Sequence, residues 1–162
     1  MNTRRLRRVK PLFYSSPSPC TERGIEGERS GMIIVTEKPI SPEQVIDLVK
    51  TPGSGCVAAY VGLIRDSSHG KKVLSVEYRD ADGKAAERLQ AIAGEIKQKW
   101  PVNKVAFYHR VGVLKVDDIN LVVAVSAGHR REAFAALRFA INSFKKRLPT
   151  SKKETYTSRE SL

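Results

Sequence analysis

Residues 104–126, KVAFYHRVGVLKVDDINLVVAVS, decide the fold. Two Val-rich runs, 104–111 and 119–126, are joined by a short linker with Asp117-Asp118 near its tip, which predicts an antiparallel pair of strands. Downstream, Ser126-Ala127-Gly128-His129-Arg130-Arg131 leads into a run with apolar residues at helical spacing: Ala133, Phe134, Leu137, Ile141, Phe144 and Leu148. That run predicts a helix over about 130–148 with those six residues on its buried face. Pro149 ends it, and Thr150-Ser151-Lys152-Lys153-Glu154 follows as a loop or short strand.

Upstream, Ser41-Pro42-Glu43-Gln44 starts a helix that stops near Lys50, before Thr51-Pro52-Gly53. Ser41 suits the cap, Pro42 the first helical position, and Gln44 the far side of a capping box. Residues 33–36 read as a strand, and the continuous apolar run CVAAYVGLI at 56–64 reads as a buried one. The polar segment 65–72 reads as a loop and 73–78 as the next strand. Ala85, Leu89, Ile92, Ala93, Ile96 and Trp100 predict a helix ending at Pro101. The element order β-α-β-β-α-β-β-α mixes hairpins with helices. It predicts an α+β fold with a mainly antiparallel sheet and packed helices, not a doubly wound parallel one.

The 162 residues suit one globular domain, and no apolar run approaches the roughly 20 residues of a membrane span. Residues 1–31 differ from the rest. They are rich in Arg, Ser and Pro, have no acid in the first 20 positions, and show no periodicity. They read as a disordered or artefactual leader, with the domain over 32–162 beginning at Met32, directly before the first strand.

Net charge is +12, of which 1–31, with seven Lys/Arg and three Glu, hold +4. Such a balance favours anionic partners. Cys20 and Cys56 have no CxxC spacing, and His69, His109 and His129 have no metal-ligand spacing, so no metal is expected. No Ser/His/Asp or Cys/His set is evident, and the loop after Arg65 lacks P-loop spacing. What remains is cationic. Arg65 closes a buried strand and can fork onto a phosphate or carboxylate. His129, Arg130 and Arg131 stand at a helix start, where the dipole disfavours cations and free N–H groups favour anions. Lys145 borders the apolar stripe, and Lys152 comes seven residues later. Taken singly, each has a plainer reading as a solvated surface charge. Together they suggest chemistry on an anionic substrate with Lys as proton donor.

In order, the chain carries Tyr60-Val61-Gly62-Leu63-Ile64-Arg65-Asp66 with Gly70, Val76-Glu77-Tyr78, and His109-Arg110-Val111-Gly112. Then come Ser126-Ala127-Gly128-His129-Arg130 with Ala133-Phe134, and Lys145-Lys146-Arg147-Leu148-Pro149 before Lys152-Lys153-Glu154. This ordered set, spanning about 32–154, resembles the molybdopterin synthase catalytic (large) subunits, the MoaE family. The resemblance implies an α/β-hammerhead-like fold and a homodimer at the centre of a heterotetramer. Its partner would be a small ubiquitin-like sulfur-carrier subunit bearing a C-terminal Gly-Gly thiocarboxylate. It implies a cytoplasmic sulfurtransferase that converts cyclic pyranopterin monophosphate to molybdopterin for molybdenum cofactor biosynthesis, with no cofactor of its own. It assigns catalysis to Lys145 and Lys152, and substrate contact to Leu63, Ile64, Arg65, His129, Arg130, Lys145, Lys152, Lys153 and Glu154. The chain differs from the family's pattern at Leu63, where a lysine is frequent, and at Thr150-Ser151, where an aromatic pair or Trp is common. Two other readings exist: a small basic RNA-binding module, and a catalytically silent homologue acting as a scaffold. The basic runs are not interleaved with aromatics suited to base stacking, so neither nucleic acid nor membrane is expected as a partner.

Overall fold

The computed structural model describes residues 32–157, so the leader 1–31 and the last five residues lie outside it. Strand β1 (Met32–Thr36) and helix α1 (Pro42–Val49) come first. Then follow β2 (Cys56–Leu63), β3 (Ser67–Ser68), β4 (Lys71–Arg79), α2 (Ala85–Lys99) and β5 (Val102–Arg110). The chain continues through β6 (Gly112–Lys115), β7 (Ile119–Ala127), α3 (Arg130–Arg147) and β8 (Ser151–Tyr156).

The larger sheet has the order β1-β5-β7-β2. Its β5–β7 and β2–β7 pairs are antiparallel, and β1 joins β5 in parallel. The fold is therefore α+β with a mainly antiparallel sheet. Both faces of this sheet are covered, which explains why the centre of β7, residues 121–125, reads as unbroken apolar sequence instead of alternating. Val123 and Val125 meet Leu89, Ile92 and Ile96 of α2 and Ala136 and Phe144 of α3 on one face. Val122 and Ala124 meet Val45 and Val49 of α1 on the other. The smaller sheet sets β4 between β6 and β8, with β3 folded back on the start of β4. Its inner face packs Ile64, Val73, Val76, Tyr78 and Leu114 together.

Local sequence explains the joints. Ser41 Oγ accepts the Gln44 backbone N–H at 3.4 Å, and Pro42 sits in the first turn. At the start of α2, carboxylates cap from outside the helix: Asp80 Oδ1 takes Ala85 N–H and Asp82 Oδ1 takes Lys84 N–H, each at 3.1 Å. His69 and Gly70, with φ of 51° and 72°, form the two-residue link between Ser68 and Lys71, the left-handed pair that a tight hairpin needs.

Three expectations need correction. The segment 65–72 is not all loop, since it contains β3 and the start of β4. The linker between β5 and β7 contains β6, which joins the second sheet. Phe134 is 63% exposed and Leu148 36%, so the buried stripe of α3 runs through Ala133, Ala136, Leu137, Ala140 and Phe144. Small side chains let this helix lie close to the sheet, and Phe134 falls beside the contact line. No helix among the described residues is long and apolar enough to cross a membrane.

Candidate active site

A cleft of about 510 Å³ opens where the two sheets meet the C-terminal end of α3. One wall is the end of β2. There the pairing with β7 slips between Gly62 and Leu63. Ile64 is then tied to the turn before β7, its N–H donating to Asp118 O at 3.0 Å and its carbonyl accepting from Asp117 N–H at 2.8 Å. Held this way, Ile64 is 4% exposed and packs into the core of the second sheet, while Leu63 is 57% exposed and Arg65 stands at the exposed rim. All three line the cleft.

The opposite wall comes from the last turn of α3 and from β8. Pro149 separates them, so Lys145 projects from a helix and Lys152 from a strand, and both line the same cleft. In β8 side chains alternate. Lys152 and Glu154 therefore face inward, opposite Tyr78 and Val76 of β4. Lys153 turns to the other face, into a smaller hollow of about 190 Å³ lined also by Glu77, Arg79, Ser151 and part of Lys152.

The inward groups form one electrostatic unit. Lys152 Nζ lies 2.6 Å from Glu154 Oε1, and the Tyr156 hydroxyl donates to Glu154 Oε2. The ammonium first, and then the phenol, holds the Glu154 carboxyl down to about 2. Burial raises the Tyr78 phenol, and the Lys152 charge offsets part of that. Asn120 Nδ2 donates to Tyr78 Oη at 3.1 Å, fixing the ring at the cleft wall.

Behind that wall lies His109, fully buried in β5. Its Nδ1 is 2.9 Å from Asn120 O, and a carbonyl only accepts, so Nδ1 carries the proton. Nε2, 2.9 Å from Thr150 Oγ1, is then the acceptor for that hydroxyl. Burial pushes the imidazole's pKa down, which keeps it neutral. Its ring makes edge contacts with Tyr78 and Phe144 at centroid distances of 5.2 and 5.1 Å. Sequence reasoning gave His109 no role in the site, nor Tyr78, Asn120 or Ser68, because their convergence depends on strand pairing that no local pattern reveals.

The structure thus brings together Leu63, Ile64, Arg65, Lys145, Lys152 and Glu154. It does not bring His129 and Arg130 to this cleft within one chain. They occupy the cap and first position of α3, whereas Lys145 lies in its last turn, about 22 Å further along a rigid helix. His129 makes no side-chain cap bond, and both residues are exposed. Among the described residues no group of three or more His, Cys, Asp or Glu is placed to hold a metal ion. The arrangement presents three cations and one held carboxylate to an anionic ligand, and the serine in the lining, Ser68, is hydrogen-bonded to that carboxylate, Glu154.

A family model described as MoaE protein matches residues 35–147. The molybdopterin synthase catalytic subunit of Homo sapiens is 35% identical over 132 residues, covering 82% of this chain and 70% of that protein. The subunit of the same name from Nostoc sp. is 38% identical over 147 residues, covering 90% of this chain and 87% of its own length. The crystal structure of molybdopterin synthase from Staphylococcus aureus superposes with a TM-score of 0.72 at 32% identity, covering 76% of this chain and 90% of the other.

Proposed function

The chain belongs to the MoaE protein family, and on that premise we propose how its cleft works. The chain is the catalytic subunit of a molybdopterin synthase, a sulfurtransferase of molybdenum cofactor biosynthesis. In the proposal, the cleft receives the C-terminal thiocarboxylate of a small ubiquitin-like sulfur carrier together with cyclic pyranopterin monophosphate. Two sulfur transfers then build the dithiolene. The observation that carries the reading is the convergence of Arg65, Lys145 and Lys152, from the connection after β2, the end of α3 and β8, on one cleft whose single serine, Ser68, is hydrogen-bonded to Glu154. A thiocarboxylate brings its nucleophilic sulfur with it, so the protein has only to orient it, neutralise phosphate, and give protons to the oxygens that leave.

Each residue has a task in this scheme. Arg65 clamps the anionic part of the pterin from the rim, with Leu63 and Ile64 forming the wall beside it. Lys145 lies against the carrier tail and acts as a proton donor, and Lys152, steadied by Glu154, serves the substrate. Lys153 supports the outer face of β8. His129 and Arg130 are too far along α3 to serve their own cleft, so the proposal gives them to the cleft of a second copy in a homodimer at the centre of a heterotetramer. The domain begins at Met32, and the reaction belongs in the cytoplasm, where a charged metabolite and a protein sulfur donor would meet.

The test is direct: the purified chain is mixed with thiocarboxylated carrier and cyclic pyranopterin monophosphate, and dithiolene is assayed. Product, with carrier desulfurised in proportion, supports the reading. Carrier binding without product would make the chain a silent scaffold.

A further inference from the structure

The turn between the two lysines is held from both sides by groups outside the cleft. On one side Thr150, 5% exposed, gives its hydroxyl proton to His109 Nε2 at 2.9 Å. His109 is itself fixed by Asn120 O and by the rings of Tyr78 and Phe144. On the other side Arg88 of α2 donates from Nη1 to Pro149 O at 3.0 Å, and its guanidinium is paired with the Asp82 carboxylate. Two consecutive residues are therefore anchored, one to the large sheet and one to α2.

We propose that His109 and Arg88 are positioning residues: by holding Pro149 and Thr150 they set where Lys152 stands relative to Lys145. The inference rests on the assignment of those two lysines to the reaction. Lys145 rides on a helix and Lys152 on a strand, and Leu148, with φ −5° and ψ 105°, breaks the helix between them. A helix and a strand joined by so short a turn behave as two levers about one pivot. The tethers remove that freedom. They do so without placing charge in the core on the His109 side, since the Nδ1-protonated neutral ring satisfies both partners.

Thr150→Val keeps the side chain's shape and removes the donor, Thr150→Ser keeps the donor, and Arg88→Ala removes the second tether. Each variant is assayed for dithiolene formation with thiocarboxylated carrier and cyclic pyranopterin monophosphate. Labelling of Lys145 and Lys152 by an amine-selective acylating reagent, referenced to the remote Lys50, is followed by mass spectrometry. Thr150→Val and Arg88→Ala are expected to lower kcat at least about tenfold while KM for the carrier stays within about twofold, because misplacement by an ångström costs rate more than binding. The Lys145:Lys152 labelling ratio is expected to change in both, and Thr150→Ser to restore the parent kcat and ratio. Parent kcat and parent ratio in Thr150→Val, whatever its melting temperature, overturn the proposal, because a contact that only stabilises the fold would shift melting alone. If the parent chain makes no dithiolene, the lysine assignment fails instead, and the labelling ratio still decides whether the tethers hold the turn.

Discussion

Replacing Glu154 by Gln removes one charge and leaves the side chain's shape and an acceptor for the Tyr156 hydroxyl. The Glu154 carboxyl is held at about 2, against an ordinary 4.5, chiefly by Lys152 at 2.6 Å. In an unscreened pair a displacement of that size is worth about 3 kcal/mol. The Lys152 side chain is 40% exposed, so water and salt screen the pair, and about 1 kcal/mol is the reasonable expectation. The folded value lies below the unfolded one, so this stability is fully present above about pH 5 and is lost as pH falls through 4.5 towards 2. Thermal unfolding of the parent and Glu154→Gln, followed by circular dichroism between pH 3 and pH 7, measures it. At pH 7 the variant should melt about 3 °C lower. By pH 3 the gap should fall to about half or less. A gap that stays constant across this range, or none at pH 7, would refute the claim that the Lys152–Glu154 pair organises β8.

Three further substitutions probe β8 and the corner that launches α3. Lys153→Ala should leave dithiolene formation within about threefold of the parent, whereas Lys152→Ala should lower it by about a hundredfold or more, since only Lys152 faces the cleft; equal losses in a steady-state assay would contradict the strand alternation. Gly55→Ala should destabilise the domain by about 1–3 kcal/mol in urea unfolding, because a Cβ there would lie 2.2 Å from the Gly128 carbonyl oxygen, at the corner that launches α3; an unchanged midpoint would show that this corner has slack.

Local chemistry made much of the fold readable. The Ser41 cap, the apolar stripe of α2 and the β5–β7 pairing all follow from signals within a few residues of each other. What escaped was set by distant partners. Ser151–Tyr156 has so many polar side chains that its sequence leaves a loop and a short strand both open, and the edge offered by β4 decides for the strand. The parallel docking of β1 on β5 likewise leaves no local mark. Phe134 matched the helical period and still ended in solvent, since period alone does not tell how wide a buried stripe is. In the site, Arg65, Lys145 and Lys152 were found because charge at a strand end or helix end is conspicuous. His109 and Thr150 were not, because a neutral histidine and a threonine 41 residues apart look ordinary until the fold puts them 2.9 Å from each other. His129 and Arg130 show the opposite case: conspicuous in sequence, yet placed at the far end of α3.

The account turns on Lys145 at the end of that helix, and one measurement tests it most directly. Lys145→Ala is supplied with thiocarboxylated carrier and cyclic pyranopterin monophosphate beside the parent chain, with folding checked by circular dichroism and dimerisation by light scattering. The account predicts a folded dimer that binds the carrier and makes no dithiolene. Undiminished dithiolene from that variant would contradict the role given to Lys145 and to the cleft built around it.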